Sequence, residues 1–235
     1  MKHKIYLILA NAGCSNRFNN STPKQYNHID EHTVLWHCVN SFAPITQINT
    51  IYITSSPNDY YIDNEAKNLY ALSDKIIINK IGGANRAQTV LNSLLEIKNI
   101  ASELDWVIIH DVARCCIDTD SIRKFIVTLE SDLVGGIMAI KSTDTIKKLH
   151  NNHLTTINRD EIYLAQTPQM FRLAELIAAL TTADLSLVTD EASAIELLGK
   201  NVYLVEAQQP NFKITYPHEL KLAEFLLNNR LGEID

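Results

Sequence analysis

Short apolar runs alternate along the chain with stretches whose apolar residues recur every three or four positions, the pattern of strands alternating with helices. Residues 5–10 form a continuous apolar run of strand length, and the polar segment from 11 to 29 reads as a loop. Further strands are expected at 50–55, 75–81, 106–110 and 134–140, with helices at 34–42, 58–72, 87–100 and 121–129 around them. In the third of these helices Val90, Leu91, Leu94, Leu95 and Ile97 fall on one apolar stripe. Beyond residue 141 the pattern changes. Segments 145–149 and 154–157 flank Asn151-Asn152, a pair suited to the positive-φ turn of a two-residue hairpin. Helices are expected at 172–181 and 191–198, the second closed by Gly199. Short strands are expected at 202–206 and 212–215, and Pro217 opens a last amphipathic helix running to 227. This order predicts an α/β fold with a mainly parallel twisted sheet covered by helices on both faces. No internal repeat or low-complexity linker divides the chain. Residues 1–235 read as a single domain, with a protruding hairpin arm at 141–160.

Composition narrows the function more than the fold. At 235 residues, 46% hydrophobic and 20% charged, the chain has enough apolar mass for a sizeable core. Its net charge of −6 argues against a nucleic-acid coat or a membrane-surface protein. It leaves room for a few cations gathered around one small polyanion. The four cysteines, Cys14, Cys38, Cys115 and Cys116, lack zinc-ligand spacing and include an adjacent pair, so a reducing cytoplasm is expected rather than a disulfide framework. Lys2 and Lys4 ahead of the first apolar run, with Cys14 after it, raise a lipoprotein signal as an alternative, but the run is too short for a secretory core. No segment reaches transmembrane length.

In sheets of this kind ligands collect beyond the carboxyl ends of the strands. After the first strand stand Ala10-Asn11-Ala12-Gly13-Cys14-Ser15-Asn16-Arg17-Phe18 and then Pro23-Lys24-Gln25-Tyr26. Small residues let backbone N–H groups approach an anion, and Arg17 and Lys24 add charge. The spacing fits neither the dinucleotide-binding nor the P-loop fingerprint, and an ordinary strand-to-helix turn stays open. After the third strand, Gly82-Gly83-Ala84-Asn85-Arg86-Ala87-Gln88-Thr89 brings Arg86 and Thr89 to a helix N-terminus, where unpaired N–H groups favour anions. A glycine turn with a solvated arginine is the plainer reading. After the fourth strand, His110-Asp111-Val112-Ala113-Arg114 offers Asp111 to Mg²⁺ or to sugar or polyol hydroxyls, or else as a capping residue paired with Arg114. Three of the seven glycines fall in the first two loops, so the loops reinforce one another.

At these residues the chain resembles the 2-C-methyl-D-erythritol 4-phosphate cytidylyltransferase family of isoprenoid precursor synthesis. The likeness continues through Asp144-Thr145, Asn158-Arg159, Gln166-Thr167-Pro168-Gln169 with Phe171, Thr189-Asp190-Glu191-Ala192-Ser193 and Asn211-Phe212-Lys213-Ile214-Thr215. The resemblance implies a Rossmann-like nucleotidyltransferase sheet, Mg²⁺ dependence, and a homodimer that exchanges its hairpin arms. It implies that Arg17 and Lys24 stabilise the transition state, and that Thr145, Arg159 and Lys213 position the substrate phosphate. Asp111 and Arg114 would hold the polyol, with Asp111 also a metal-ligand candidate. Ala10, Ala12, Gly13, Ser15, Gly83, Arg86, Thr89 and Val112 would form the CTP pocket. The chain departs from the family pattern at Asn11 (usually alanine), Ser15 (commonly glycine), Phe18 (methionine), Ala84 and Asn85 (an acidic pair) and Cys115 (proline).

Other readings compete at particular residues. Asp118-Thr119-Asp120 matches a glycosyltransferase DxD motif, yet its place before a helix favours capping. His28 with His32, and His150 with His153, have loose metal-ligand spacing but no supporting carboxylate or thiolate pattern. Cys115 beside Arg114 reads either as a reactive thiol or as a small structural residue. At the level of the whole chain, a ribitol 5-phosphate cytidylyltransferase and an inactive CTP-binding regulatory protein are the alternatives.

Overall fold

The computed structural model describes residues 3–13, 18, 22–131, 134–208 and 211–229. Strand β1 (Ile5–Ala10) is followed by a one-turn 3-10 helix at Lys24–Tyr26 and a short hairpin, β2 (His28–Ile29) and β3 (His32–Thr33). Alternating elements follow: α1 (Val34–Phe42), β4 (Ile48–Thr54), α2 (Tyr61–Tyr70), β5 (Ile76–Asn79), α3 (Arg86–Lys98), β6 (Trp106–Asp111) and α4 (Thr119–Leu129). Then come β7 (Gly135–Lys141), the hairpin β8 (Ile146–His150) and β9 (His153–Ile157), and the long β10 (Tyr163–Arg172). The chain continues through α5 (Leu173–Thr182), α6 (Glu191–Leu197), β11 (Tyr203–Glu206) and α7 (Glu219–Asn228).

Seven strands make one mixed sheet in the order β11-β7-β10-β6-β1-β4-β5. Only β10 runs antiparallel to its neighbours, β6 and β7; the other ladders are parallel. Alternation within β1 explains how both faces are covered. Ile5, Leu7 and Leu9 join a layer with residues of α1, α2 and α4, while Tyr6 and Ile8 join the opposite layer with α3, α5 and α6. A strand packed on both faces has no polar side, so its sequence reads as a continuous apolar run. Short polar caps set where the helices start: Thr33, Asn85, Asp118 and Asp190 each accept the backbone N–H three residues on. Asp118 is therefore a cap, and Asp120 pairs with Arg123 at 2.9 Å on the surface, which dissolves the DxD reading.

The expected alternation is present, with two corrections. Segment 212–215 is not a strand; it crosses the ends of the sheet with one backbone bond from Ile214 N to Ala113 O at 2.8 Å. Sequence periodicity also missed β10, whose run contains Gln166, Thr167, Pro168 and Gln169 and whose register against β7 shifts between Ala165 and Gln169. The hairpin β8–β9 pairs only with itself, and both turn residues, Asn151 and Asn152, have positive φ (46° and 62°). Nearly all of its residues are exposed.

Gly135 and Gly199 both have positive φ, +127° and +71°, but in different surroundings. A Cβ on Gly135 would lie 2.1 Å from the Met170 carbonyl oxygen, at the end of the β7–β10 ladder, whereas one on Gly199 would meet nothing within 4 Å. Gly135→Ala should lower the melting temperature by about 10 °C or more, because backbone must move. Gly199→Ala should cost only the left-handed penalty of about 1–2 kcal/mol. Calorimetry on the two variants checks the contrast.

Candidate active site

The pairing of β1 between β4 and β6 makes the topological switch at which α/β sheets bind ligands. Ala10 lies opposite Asp111 in the β1–β6 register, so the two strand ends open side by side. Here a cleft of about 300 Å³ is lined by Ala10, Asn11, Ala12, Gly13, Lys24, Gln25, Gly83, Ala84, Asn85, Arg86, Thr89, Asp111, Val112, Ala113 and Lys213. Three cations and one carboxylate thus face one hollow, in a chain whose net charge is −6.

Each wall is fixed by local contacts. Behind the first loop, Gln25 Nε2 donates to Asn11 O at 3.1 Å, and Asn11 Nδ2 donates to the Tyr26 hydroxyl at 2.7 Å. That hydroxyl donates in turn to Asp59 at 2.6 Å. This buried relay holds the 3-10 turn, and Lys24 Nζ donates to Ile214 O at 3.1 Å. The second loop presses on the first, since Gly82 N donates to Ser55 O at 2.8 Å and a Cβ on Gly82 would stand 2.5 Å from Ala12 Cβ. Thr89 clips that loop, accepting from Gly83 N at 3.0 Å and donating to Asn85 O at 2.9 Å.

The floor is an ionic chain. Asp111 accepts from Arg86 Nε on Oδ1 and from Lys213 Nζ on Oδ2, both at 2.7 Å. The Arg86 guanidinium turns its other edge to Glu191, giving bonds of 2.6 and 2.9 Å to the two carboxylate oxygens. Burial pushes the Asp111 carboxyl up, but the charges of Arg86 and Lys213 outweigh it and hold the group well below the usual carboxylate range. Burial lowers the Arg86 pKa, yet Glu191 and Asp111 more than reverse this and keep the guanidinium charged. Arg114 donates to Asn211 O at 2.7 Å rather than pairing with Asp111. Asn211 also donates to Thr167 O at 2.7 Å, and Thr167 accepts the Asp111 backbone N–H at 3.0 Å. The segment carrying Lys213 is thereby tied to β6 and β10 without being a strand.

Of the residues expected from sequence, Lys24, Lys213, Asp111, Ala10, Ala12, Gly13, Gly83, Arg86, Thr89 and Val112 all line the cleft. Arg17 and Ser15 lie outside the described residues. Thr145 is exposed at the root of the hairpin, and Arg159 faces a separate hollow with Lys141, Thr143 and Glu206, where it donates to Thr143 O. Neither is among the residues lining the cleft of its own chain, nor is Arg114. Cys115 is fully buried, as a structural residue would be. Among the described residues no group of three or more His, Cys, Asp or Glu side chains could cage a metal ion, and both Asp111 oxygens already meet cations. Sequence reasoning gave no role to Glu191, Asn211, Thr167 or Gln169. A buried acid next to a helix cap was the available signal for the first.

The family profile described as "IspD: 2-C-methyl-D-erythritol 4-phosphate cytidylyltransferase" matches residues 5–229. The chain belongs to the IspD family. It is a cytidylyltransferase of the methylerythritol phosphate isoprenoid route. A 2-C-methyl-D-erythritol 4-phosphate cytidylyltransferase from Chromobacterium violaceum is 38% identical over 221 residues, covering 93% of this chain and 96% of the relative. The crystal structure of the Francisella tularensis IspD is 32% identical, with TM-score 0.77 over 95% of this chain and 99% of that one. A crystal structure of 4-diphosphocytidyl-2C-methyl-D-erythritol synthase is 30% identical, with TM-score 0.83 over 97% and 99%. The family's mixed sheet is thus the fold observed here.

His110, beside Asp111, supplies a test of the site's burial. It is fully buried, its Nε2–H donates to Arg114 O at 3.2 Å, and its Nδ1 has no partner. Burial pushes its pKa down to about 3. The unfolded chain takes up a proton below about pH 6.5 that the folded chain refuses, so stability falls as pH drops from about 6.5 toward 3. The slope from this group approaches ~1.4 kcal/mol per pH unit. His110→Gln should flatten the change in urea midpoint between pH 7 and 5; identical slopes in variant and wild type contradict it.

Proposed function

We propose that the chain performs its family's reaction, the transfer of cytidylyl from CTP to 2-C-methyl-D-erythritol 4-phosphate, with a specific division of labour around this cleft. A phosphate oxygen of the substrate attacks the α-phosphorus of CTP; that P–O bond forms, the bond to the β-phosphate oxygen breaks, and pyrophosphate leaves. A phosphate monoester has its second pKa near about 6 and is largely dianionic at neutral pH, so no general base is needed. The barrier is repulsion between two polyanions, which fixed cations relieve. Lys24 supplies that charge from the first loop, together with Arg17 by family likeness. Lys213 takes the substrate phosphate, while Asp111 accepts polyol hydroxyls on its remaining lone pairs and Arg114 braces that end of the cleft. The small residues Ala10, Ala12, Gly13 and Gly83, with Ser15 by likeness, admit the nucleotide against loop N–H groups. Arg86, Thr89 and Val112 complete its wall. Mg²⁺, which the family implies, would when bound offset charge on the triphosphate. Such a cation would be held mainly by the CTP phosphates, with Asp111, whose oxygens meet Arg86 and Lys213, as the candidate side-chain ligand. Family likeness supports a cytoplasmic reaction; no helix among the described residues is long and apolar enough to cross a membrane.

The observation that carries this reading is the meeting of Lys24, Arg86, Lys213 and Asp111 at the β1–β6 strand ends. Purified protein with CTP and Mg²⁺ should release pyrophosphate with methylerythritol phosphate. Release only with ribitol 5-phosphate would reassign the substrate, and CTP binding without turnover of either would indicate the regulatory alternative.

The placement of Thr145 and Arg159 outside the cleft of their own chain supports a homodimer in which each arm completes the other subunit's polyol-phosphate site. Lys24→Ala should lower kcat by about two to three decades while the fold survives. Mixing Lys24→Ala with Arg159→Ala subunits should then recover activity in heterodimers, each of which holds one intact site. Purified heterodimers no more active than the parents would refute arm exchange.

A further inference from the structure

Glu191 has a position unlike any other carboxylate near the cleft. It is the first residue of α6, its side chain is 1% exposed, and both oxygens are spent on Arg86. Its place is set by two independent anchors. Asp190 caps α6 through Ser193 N at 3.0 Å, and Gln169 on β10 accepts from Ala192 N at 3.0 Å while donating to Asp190 at 2.8 Å. A carboxylate fixed this firmly and shielded from water interacts with its partner more strongly than an exposed one.

The consequence falls on Arg86. Nη1 and Nη2 each give one N–H to Glu191, and Nε gives its own to Asp111. Arginine is a strong bidentate phosphate binder, and this one lines the cleft proposed to take CTP. We infer that Glu191 is a positioning residue: it holds Arg86 away from the nucleotide phosphates and reserves it for Asp111, so that Asp111 meets the polyol in one fixed orientation. The inference rests on the reading that Asp111 binds the polyol. On this arrangement Arg86 works as the middle of a Glu191–Arg86–Asp111–Lys213 chain, and the cleft's charge for phosphate comes from its lysines.

The near-isosteric Glu191→Gln keeps the shape and removes the charge that holds the guanidinium. KM for methylerythritol phosphate should rise about tenfold or more, the loss of one such constraint, a larger change than the one in KM for CTP. Adding Arg86→Gln to Glu191→Gln should produce much less further loss than Arg86→Gln alone, because the two act as one unit. If Glu191→Gln lowers thermal stability and leaves both KM values unchanged, the residue is structural and the inference falls. A rise in KM for CTP alone also overturns it, since Arg86 then serves the nucleotide. Asp111→Asn, assayed in parallel, separates the two layers. An unchanged polyol KM there removes the reading of Asp111 itself, whereas a raised one alongside an unaffected Glu191→Gln removes only the role of Glu191. Wild-type protein labelled with ¹⁵N-arginine gives a check that needs no variant. The Arg86 Nη protons should stay in slow rotation when CTP is added, and their release on CTP binding refutes the inference.

Discussion

One carboxylate holds two distant parts of the chain in register. Asp111 is bonded to Arg86, 25 residues before it, and to Lys213, 102 residues after it. Without a negative centre between them, these cations would repel each other across a partly dry cleft, although backbone and side-chain hydrogen bonds also tie each segment to the strand ends. The pairing is costly to desolvate and costly to break, which suits a site that must hold its shape before a polyanion arrives. The same carboxylate then explains why the cleft is positive without being a disordered cluster of lysines and arginines.

The scaffold is stiff at the places this arrangement needs. Asp111 ends a central strand whose neighbour β1 is buried on both faces, and its backbone N–H is fixed by Thr167 from the one antiparallel strand. The glycine loop rests against the first loop through Gly82 and Ala12, so these two walls of the cleft form a single contact surface. Preorganisation of this kind is how fixed cations lower a barrier instead of merely binding tightly.

Much of this was legible from residues alone. The parallel half of the sheet showed itself because buried strands read as plain apolar runs, and Asn151-Asn152 announced its hairpin through the one local conformation that asparagine tolerates well. The small-residue loop, Lys24, Asp111 and Lys213 could be placed near one another because each follows a strand or matches a family motif. What stayed hidden was tertiary. Strand β10 carries polar residues that bond across the sheet, so its period is broken. Segment 212–215 is extended and apolar at alternate positions, but its bonds go to loops and side chains rather than to a ladder. Glu191 looked like an ordinary acid at a helix start, and only the approach of α3 turned it into a partner for Arg86.

The strand-like crossing of Asn211 and Lys213 over the sheet ends has a further consequence for how the protein comes into being. Strands β1, β4, β5 and β6 leave the ribosome early, yet the counter-charge to Asp111, the brace for Arg114 and the carbonyl that receives Lys24 all belong to residues 211–214, after every strand of the sheet. A nascent chain can therefore own all seven strands while the hollow beyond Ala10 and Asp111 still lacks one wall. A product ended before residue 211 would carry the scaffold without that charge arrangement.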